Sequence, residues 1–419
     1  MNSAIGALIG LAVAIFLIVK RLSPVYSLML GALTGGLLSG FGLVDTVDCM
    51  VSGVRDIAPA ILRILAAGVL SGVLIKTGAA ASISRTIVRR LGARQIYLAL
   101  AVSAMLLTGV GVFVDVAVIT VAPIALMLGK SLSAPKPKLL LAMIGGAKCG
   151  NVISPNPNTI IAAENFGAPL PSVMAANIVP AIIGLLVTVY VIVPLVPSSR
   201  DAGPYSGEED DVNDDALPSF LASIAAPAVT MLLLALRPLA GIVIDPLVAL
   251  PAGGIAGILA TRSWKRAGES VAFGLEKMSV VAVLLVGTGT IAGIIKASEI
   301  KDVMIAMLSG WSGGGTLMAP LASILMAAAT ASTTAGATIA SASFSQTVLA
   351  AGVPAVWAAA MTNAGATVLD HLPHGSFFHA TGGSVGMQIK ERLRLIPFES
   401  AVGLTLTVCS LLSFLIFGR

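Results

Sequence analysis

Charged residues are scarce in this 419-residue chain, 11% in all, so those that interrupt apolar stretches draw attention first. Asp115 ends a glycine-rich break, LTGVGVFVD (Leu107–Asp115). Lys148 precedes a second break, GNVISPNPNT (Gly150–Thr159), and Asp370 lies in a third, LDHLPHGS (Leu369–Ser376). All three histidines, His371, His374 and His379, follow Asp370 within nine residues. An ionisable side chain at membrane depth is expensive and marks a functional position. Carboxylates and a histidine can take and release a proton, so Asp115, Asp370 and His371 are expected to handle a coupling ion. Ser154, Asn156, Asn158 and Thr159 offer neutral groups suited to carboxylate and hydroxyl oxygens. Lys148, Thr333, Thr334, His374 and Ser376 complete the expected ligand-binding set.

Each of these residues also has a plainer reading. A proline-kinked helix can cap itself with its own Asn and Ser side chains. Asp115 could be a helix cap, Lys148 could pair with a carboxylate, and the histidines could be hydrogen-bonded structural groups. An H-x-x-H-x-x-x-x-H run beside an Asp could also ligate a metal. Pro373 and Gly375 interrupt that run, so it presents no single helical face, and no second cluster of Cys, His or Glu completes it. No metal and no cofactor is expected.

The elements that must position these residues are membrane helices. The chain is 57% hydrophobic, and apolar stretches such as Ala4–Val19, Val25–Leu43, Ala58–Ile75 and Met174–Val196 approach the ~20 residues that span a bilayer as a helix. The net charge of +5 reflects Arg and Lys clustered in short loops, a mark of membrane topology rather than of nucleic-acid binding. Cys49, Cys149 and Cys409 are far apart and read as small core residues. Lys20 and Arg21 follow the first apolar run instead of preceding it, so the first helix is expected to be retained, with its N-terminus outside. Between basic loops, about 34 residues around Leu107–Asp115 are too few for two crossings of ~20 residues each. A re-entrant hairpin over about 95–130 fits them.

Near the middle of the chain, Pro197–Pro218 holds seven of the 20 acids and reads as a solvated cytoplasmic linker. The halves flanking it resemble each other. SPVYSLMLGALTGGLLSG (Ser23–Gly40) aligns with DPLVALPAGGIAGILATR (Asp245–Arg262), VLIKTG (Val73–Gly78) with GIIKAS (Gly293–Ser298), and GNVISPNPNT with ATVLDHLPHG (Ala366–Gly375). The expected architecture is an all-α polytopic membrane protein built from two inverted repeats, 1–197 and 219–419, joined by the 198–218 linker. About ten transmembrane helices, two hairpins (95–130 and 317–346) and two broken helices (138–166 and 352–384) follow. The second hairpin tip is expected in the run Thr330–Ser343. Inverted repeats with discontinuous helices build many secondary transporters, with substrate near the midplane.

On these residues the chain resembles the gluconate:proton symporter (GntP-type) family, within the ion-transporter superfamily. SPVYSLMLGALTGGLLSG, LIKTGAA (Leu74–Ala80), GVGVFVDVAVITVAPI (Gly109–Ile124) and TTAGATIAS (Thr333–Ser341) carry the resemblance. Two differences stand out: Asp115 occupies a position where the family resemblance leads one to expect Glu, and LDHLPHGSFF differs from the gluconate carriers' second break. The resemblance implies proton-coupled transport of a sugar acid or related hydroxycarboxylate, H⁺ or Na⁺ being the coupling ion. It implies location in a bacterial inner membrane and, by superfamily analogy, a homodimer. A cation/proton antiporter using Asp115 and Asp370 is the alternative, and a membrane-embedded metalloenzyme using Asp370, His371 and His374 a more distant one. No ATP-binding P-loop motif occurs.

The basic-loop pattern places the linker in the cytoplasm. A cysteine introduced at position 210 of a cysteine-free variant is therefore expected to resist an impermeant maleimide in intact cells and to react after permeabilisation. Rapid labelling from outside would reverse the topology.

Overall fold

The structure, a computed structural model, describes residues 2–20, 22–92, 95–197, 217–299, 314–373 and 375–418. Most of the acidic linker and His374 lie outside the described residues. All regular structure among the described residues is helical. The first half comprises α1 (Asn2–Val19), α2 (Pro24–Leu38), α3 (Leu43–Lys76), α4 (Ala79–Leu91), α5 (Ile96–Gly109), α6 (Val114–Leu132), α7 (Lys136–Asn151), α8 (Pro157–Phe166), α9 (Leu170–Ala176), α10 (Ile178–Val187) and, after a π-helical turn, α11 (Val193–Leu195). The second comprises α12 (Phe220–Ala240), α13 (Pro246–Thr261), α14 (Ala267–Ala297), α15 (Gly314–Thr330), α16 (Thr333–Ala350), α17 (Ala355–Gly365), α18 (Ser376–Ser384), α19 (Ile389–Leu393) and α20 (Ile396–Phe417). Five helical stretches among the described residues are long and apolar enough to cross a membrane: Leu43–Lys76, Val114–Leu132, Leu170–Leu195, Trp264–Ala297 and Ile389–Phe417. Shorter apolar helices accompany them, fewer full-length spans than the ten crossings expected.

The packing pattern exchanges between the two halves. α1 packs on α2, and α12 on α13; α3 meets α13, and α14 meets α2. α5 lies on α7, and α15 on α17; α6 touches α18, and α16 touches α8. The two longest helices, α3 and α14, pack antiparallel along a seam of small residues, Gly53, Gly68 and Gly72 facing Gly293, Gly289, Gly274 and Ser270. A Cβ at Gly53, Gly72 or Gly293 would run into a carbonyl of the facing helix. In lipid, where apolar surface gains nothing by leaving the solvent, such close backbone approach is what holds helices together.

Two hairpins and two interrupted helices follow this seam. α5 has 14 residues, about 21 Å of helix at 1.5 Å per residue, too short to cross. Its turn to α6 is Val110–Phe113, with Gly111 in the left-handed region (φ 103°). The second turn is tighter than the sequence suggests. Only Ala331 and Ser332 separate α15 from α16, and most of the run expected as a tip, Thr333–Ser343, is helical. Ser332 caps α16 by accepting from Ala335 N (3.3 Å), and burial of the small side chains beyond it keeps the run helical. The interruptions fall at 152–156 and 366–375.

The seam allows a direct check. Gly72→Val overpacks α3 against the Ser270 carbonyl and is expected to lower stability by about 1–3 kcal/mol or more. Gly268→Ala, where a Cβ meets nothing within 4 Å, should leave it unchanged or slightly raised. Thermal unfolding of the detergent-purified variants reads both; equal melting temperatures would remove the seam from the account.

Candidate functional site

Four helices begin around one cavity. α6 starts after Phe113 and α8 after Asn156, whose side chain accepts from Thr159 N (3.0 Å). α16 starts after Ser332, and α18 after Gly375, which has no side chain to cap it. First-turn residues of all four, among them Val114, Asn158, Thr333 and Ser376, line a cavity of about 790 Å³. Its remaining wall comes from Ser23–Val25 at the start of α2 and from Glu276–Leu284 of α14. The first N–H groups of a helix have no intrahelical partner and carry a partial positive charge. Four such termini at one space supply backbone donors for anionic oxygen, beside three carboxylates (Asp115, Glu276 and Asp370) and one ammonium (Lys277) in the lining.

The breaks that create these termini are held by asparagines. Asn156 Nδ2 donates to Asn151 O (2.8 Å) and also meets Asn151 Oδ1. Asn158 Nδ2 donates to Asn363 Oδ1 (2.8 Å), and Asn363 Nδ2 donates to Thr159 Oγ1 (2.9 Å) and Val152 O (3.3 Å). One carboxamide from each half of the chain thus satisfies backbone or hydroxyl groups freed by the first break. Thr334 Oγ1 reaches Asn158 Oδ1 at 3.5 Å.

Behind the cavity lies a buried charge cluster. Lys148 Nζ donates to Thr367 O (2.6 Å), Asp370 Oδ1 (2.6 Å) and His371 Nδ1 (3.0 Å). Its three protons are then all used. Asp370 Oδ2 accepts from Thr333 Oγ1 (2.5 Å), which links the cluster to the cavity lining. His371 Nε2 faces Ile396 O at 3.0 Å. A carbonyl can only accept, so Nε2 carries the proton and Nδ1 presents its lone pair to Lys148, an assignment made from the hydrogen-bond pattern. Further in, the Arg392 guanidinium holds both carboxylate oxygens of Glu399, donates to Thr381 Oγ1 (3.2 Å) and Phe378 O (3.3 Å), and lies 4.8 Å from the centre of the Phe378 ring. Arg392 is 1% exposed, its charge matched by Glu399 on the next helix.

The residues expected from sequence separate into two groups. Asp115, Asn156, Asn158, Thr333, Thr334, Asp370 and Ser376 line the cavity. Asp115 Oδ1 accepts from Val116 N (2.9 Å). Lys148, Ser154, Thr159 and His371 stand behind that lining, fully buried. Ser154 Oγ has no hydrogen-bond partner among the described residues. His379 Nε2 meets Pro373 O (2.8 Å), away from the cluster. Asn363, Glu399 and Lys277, which reaches the cavity wall from α14, went unnoticed in the sequence, as did Arg63. Arg63 on α3 forms a forked pair with Asp245 (Nη2–Oδ2 2.8 Å) and bonds Glu164 of α8. A lone arginine inside the apolar stretch Ala58–Ile75 was the available signal. Among the described residues no group of three or more His, Cys, Asp or Glu side chains could hold a metal.

Helical hairpins, broken helices and a polar cavity at their tips fit a membrane transporter. Residues 3–252 match the GntP family permease profile and residues 222–311 a Na⁺-H⁺ antiporter family profile. The chain belongs to the GntP permease family, and is accordingly a multi-pass protein of the bacterial inner membrane. It is 52% identical over 415 residues, 99% of each chain, to an uncharacterized transporter of Haemophilus influenzae. It is 22% identical to the high-affinity gluconate transporter of Escherichia coli, over 93% of this chain and 94% of that one. It is also 22% identical to the E. coli D-serine transporter DsdX, over 78% and 79%. The Alcanivorax borkumensis YdaH transporter shares the fold, with TM-score 0.62 at 16% identity over 90% of this chain and 89% of that one.

Removing one partner of a buried ion pair strands the other charge. Lys148→Met is expected to lower stability by about 3–5 kcal/mol, and Lys148→Met combined with Asp370→Leu to recover most of that loss. Thermal unfolding would show it; a single variant as stable as the parent would mean the pair imposes no such constraint.

Proposed function

We propose that this permease carries a small hydroxylated carboxylate across the inner membrane, driven by a proton gradient. The observation that carries the reading is the ring of four helix N-termini around the 790 Å³ cavity. The substrate carboxylate would settle against their N–H groups. Asn156, Asn158, Thr333, Thr334 and Ser376 would take its hydroxyls, and Lys277 adds a cationic side chain to the wall. The gluconate and D-serine transporters among the relatives handle compounds of this kind, small carboxylates bearing hydroxyl or amino groups.

Coupling is assigned to the titratable groups at the cavity: Asp115 on the lining, and Asp370 with His371 behind Thr333. The hairpins and broken helices form the unit that would shift against the glycine-packed α3–α14 scaffold. Arg63, which ties α8 to α3 and α13, lies across the boundary between them. The exchange of packing partners between the two halves supports reading them as inverted repeats. A cation/proton antiporter is the second reading, supported by the profile matched over residues 222–311.

Thermal shifts of the purified protein with gluconate, other sugar acids and D-serine, with and without Na⁺, identify ligands, since a ligand that binds the folded state raises its apparent stability. Cation-driven proton exchange in substrate-free vesicles would favour the antiporter. Asn158→Ala is expected to weaken the apparent affinity for the identified substrate by about 10- to 150-fold, the loss of a hydrogen bond to a charged group; unchanged affinity in a folded variant would make Asn158 a structural cap. Asp115→Asn should abolish accumulation against a gradient while leaving exchange between two loaded compartments partly intact. Normal accumulation by that variant would clear Asp115 of coupling.

A further inference from the structure

Arg392 and Glu399 form no part of the cavity lining, yet both are held away from water, 1% and 0% exposed. A buried ion pair is a weak way to join two helices, because apolar side chains of similar volume often stabilise as well or better. What sets this pair apart is the group it faces. Glu399 Oε2 lies 4.0 Å from His371 Nδ1. The same first turn of α20 brings the Ile396 carbonyl (3.0 Å) and the Ser400 hydroxyl (3.3 Å) to His371 Nε2. The opposite edge of the ring meets Lys148 at 3.0 Å and Asp370 Oδ1 at 3.1 Å.

The charged groups around His371 are therefore Lys148 from α7, Asp370 from the second break, Glu399 from α20 and, behind it, Arg392 from α19. Of the elements packed on α20, α7 brings Lys148 and Cys149, the π-helical turn carries Tyr190, and α10 and α17 carry no titratable side chain. With His371 neutral, two cations and two carboxylates sum to zero. A proton added at Nδ1 displaces the Lys148 hydrogen bond and leaves the cluster with one positive charge in excess. Asp370 and Glu399 are the carboxylates placed to face the new N–H. Without Glu399, Asp370 would be the one carboxylate facing both Lys148 and the imidazolium.

We infer that Arg392 and Glu399 are positioning residues of the coupling machinery: Arg392 fixes the Glu399 carboxylate where it faces His371 Nδ1, and that local negative charge favours the proton that His371 takes up in the transport cycle. This rests on the proton-coupled reading. The proton enters from the cavity side past Thr333 and Asp370, forms the Nδ1–H bond as Lys148 withdraws, and leaves by the reverse exchange.

The test uses Arg392→Met/Glu399→Leu, which removes both charges and so avoids stranding either in the core. Full-length protein labelled with ¹⁵N in its histidine rings is titrated by NMR, with His371→Gln assigning the signal. In the parent, His371 is expected as the Nε2–H tautomer at high pH, gaining a second proton on acidification. In the double variant it should gain that proton only at about tenfold higher proton concentration or beyond. In proteoliposomes with radiolabelled gluconate as probe, the double variant is expected to lose about tenfold or more of its pH-gradient-driven accumulation. Its gluconate counterflow should stay above that of protein-free liposomes. A double variant that titrates and accumulates like the parent overturns the inference. So does a parent His371 that never gains a second proton while gluconate accumulation is proton-driven. A parent that fails to accumulate gluconate under a pH gradient counts against the proton-coupled reading instead, and the NMR titration still decides the positioning role.

Discussion

A helix that stops inside a membrane leaves its first N–H groups with no lipid that can accept their hydrogen bonds. Such an end is tolerated only where it is capped by protein or faces a polar space. In this chain α6, α8, α16 and α18 stop this way, and all four line the same cavity. Asn156 and Ser332 cap two of them from within, while Gly375 offers no side chain to α18. The cavity is thus a consequence of the interruptions. The backbone donors it offers to anionic oxygen are in place before any side chain is considered.

The same absence of water governs the charges. Lys148 and Asp370 are both buried, and each is satisfied on every side the structure offers: the ammonium by a carbonyl, a carboxylate and an imidazole, the carboxylate by the ammonium and the Thr333 hydroxyl. Arg392 and Glu399 repeat that solution a few ångströms away. Removing any one of these partners would leave a charge uncompensated, so the cluster constrains the surrounding helices more than its net stabilisation would suggest.

Several polar ties also run between the two halves of the chain. Lys148 meets Asp370, Asn158 meets Asn363, Arg63 meets Asp245, and Asn177 accepts from Ser410. The α3–α14 seam joins the halves again through glycine-lined backbone contact. Neither half carries a finished site, because each break is completed by side chains from the other.

Much of this was legible in the chain as written. Scarce charge and long apolar runs specify membrane helices, because a bilayer admits little else. Pro157 and Pro373, flanked by Asn, Ser and His, marked both breaks, since proline removes a donor and neighbouring polar side chains must replace it. The sequence could not say which face each residue would turn. Lys148 and His371 read as site groups but lie behind the lining, and the long Thr/Ser run read as a tip but is helix. Arg63, Asn363 and Glu399 gained their roles from partners 182, 205 and 7 residues away. Composition and local pattern set where a membrane chain must break. The pairing of one buried polar group with another depends on which helices come to lie side by side, and only the tertiary packing decides that.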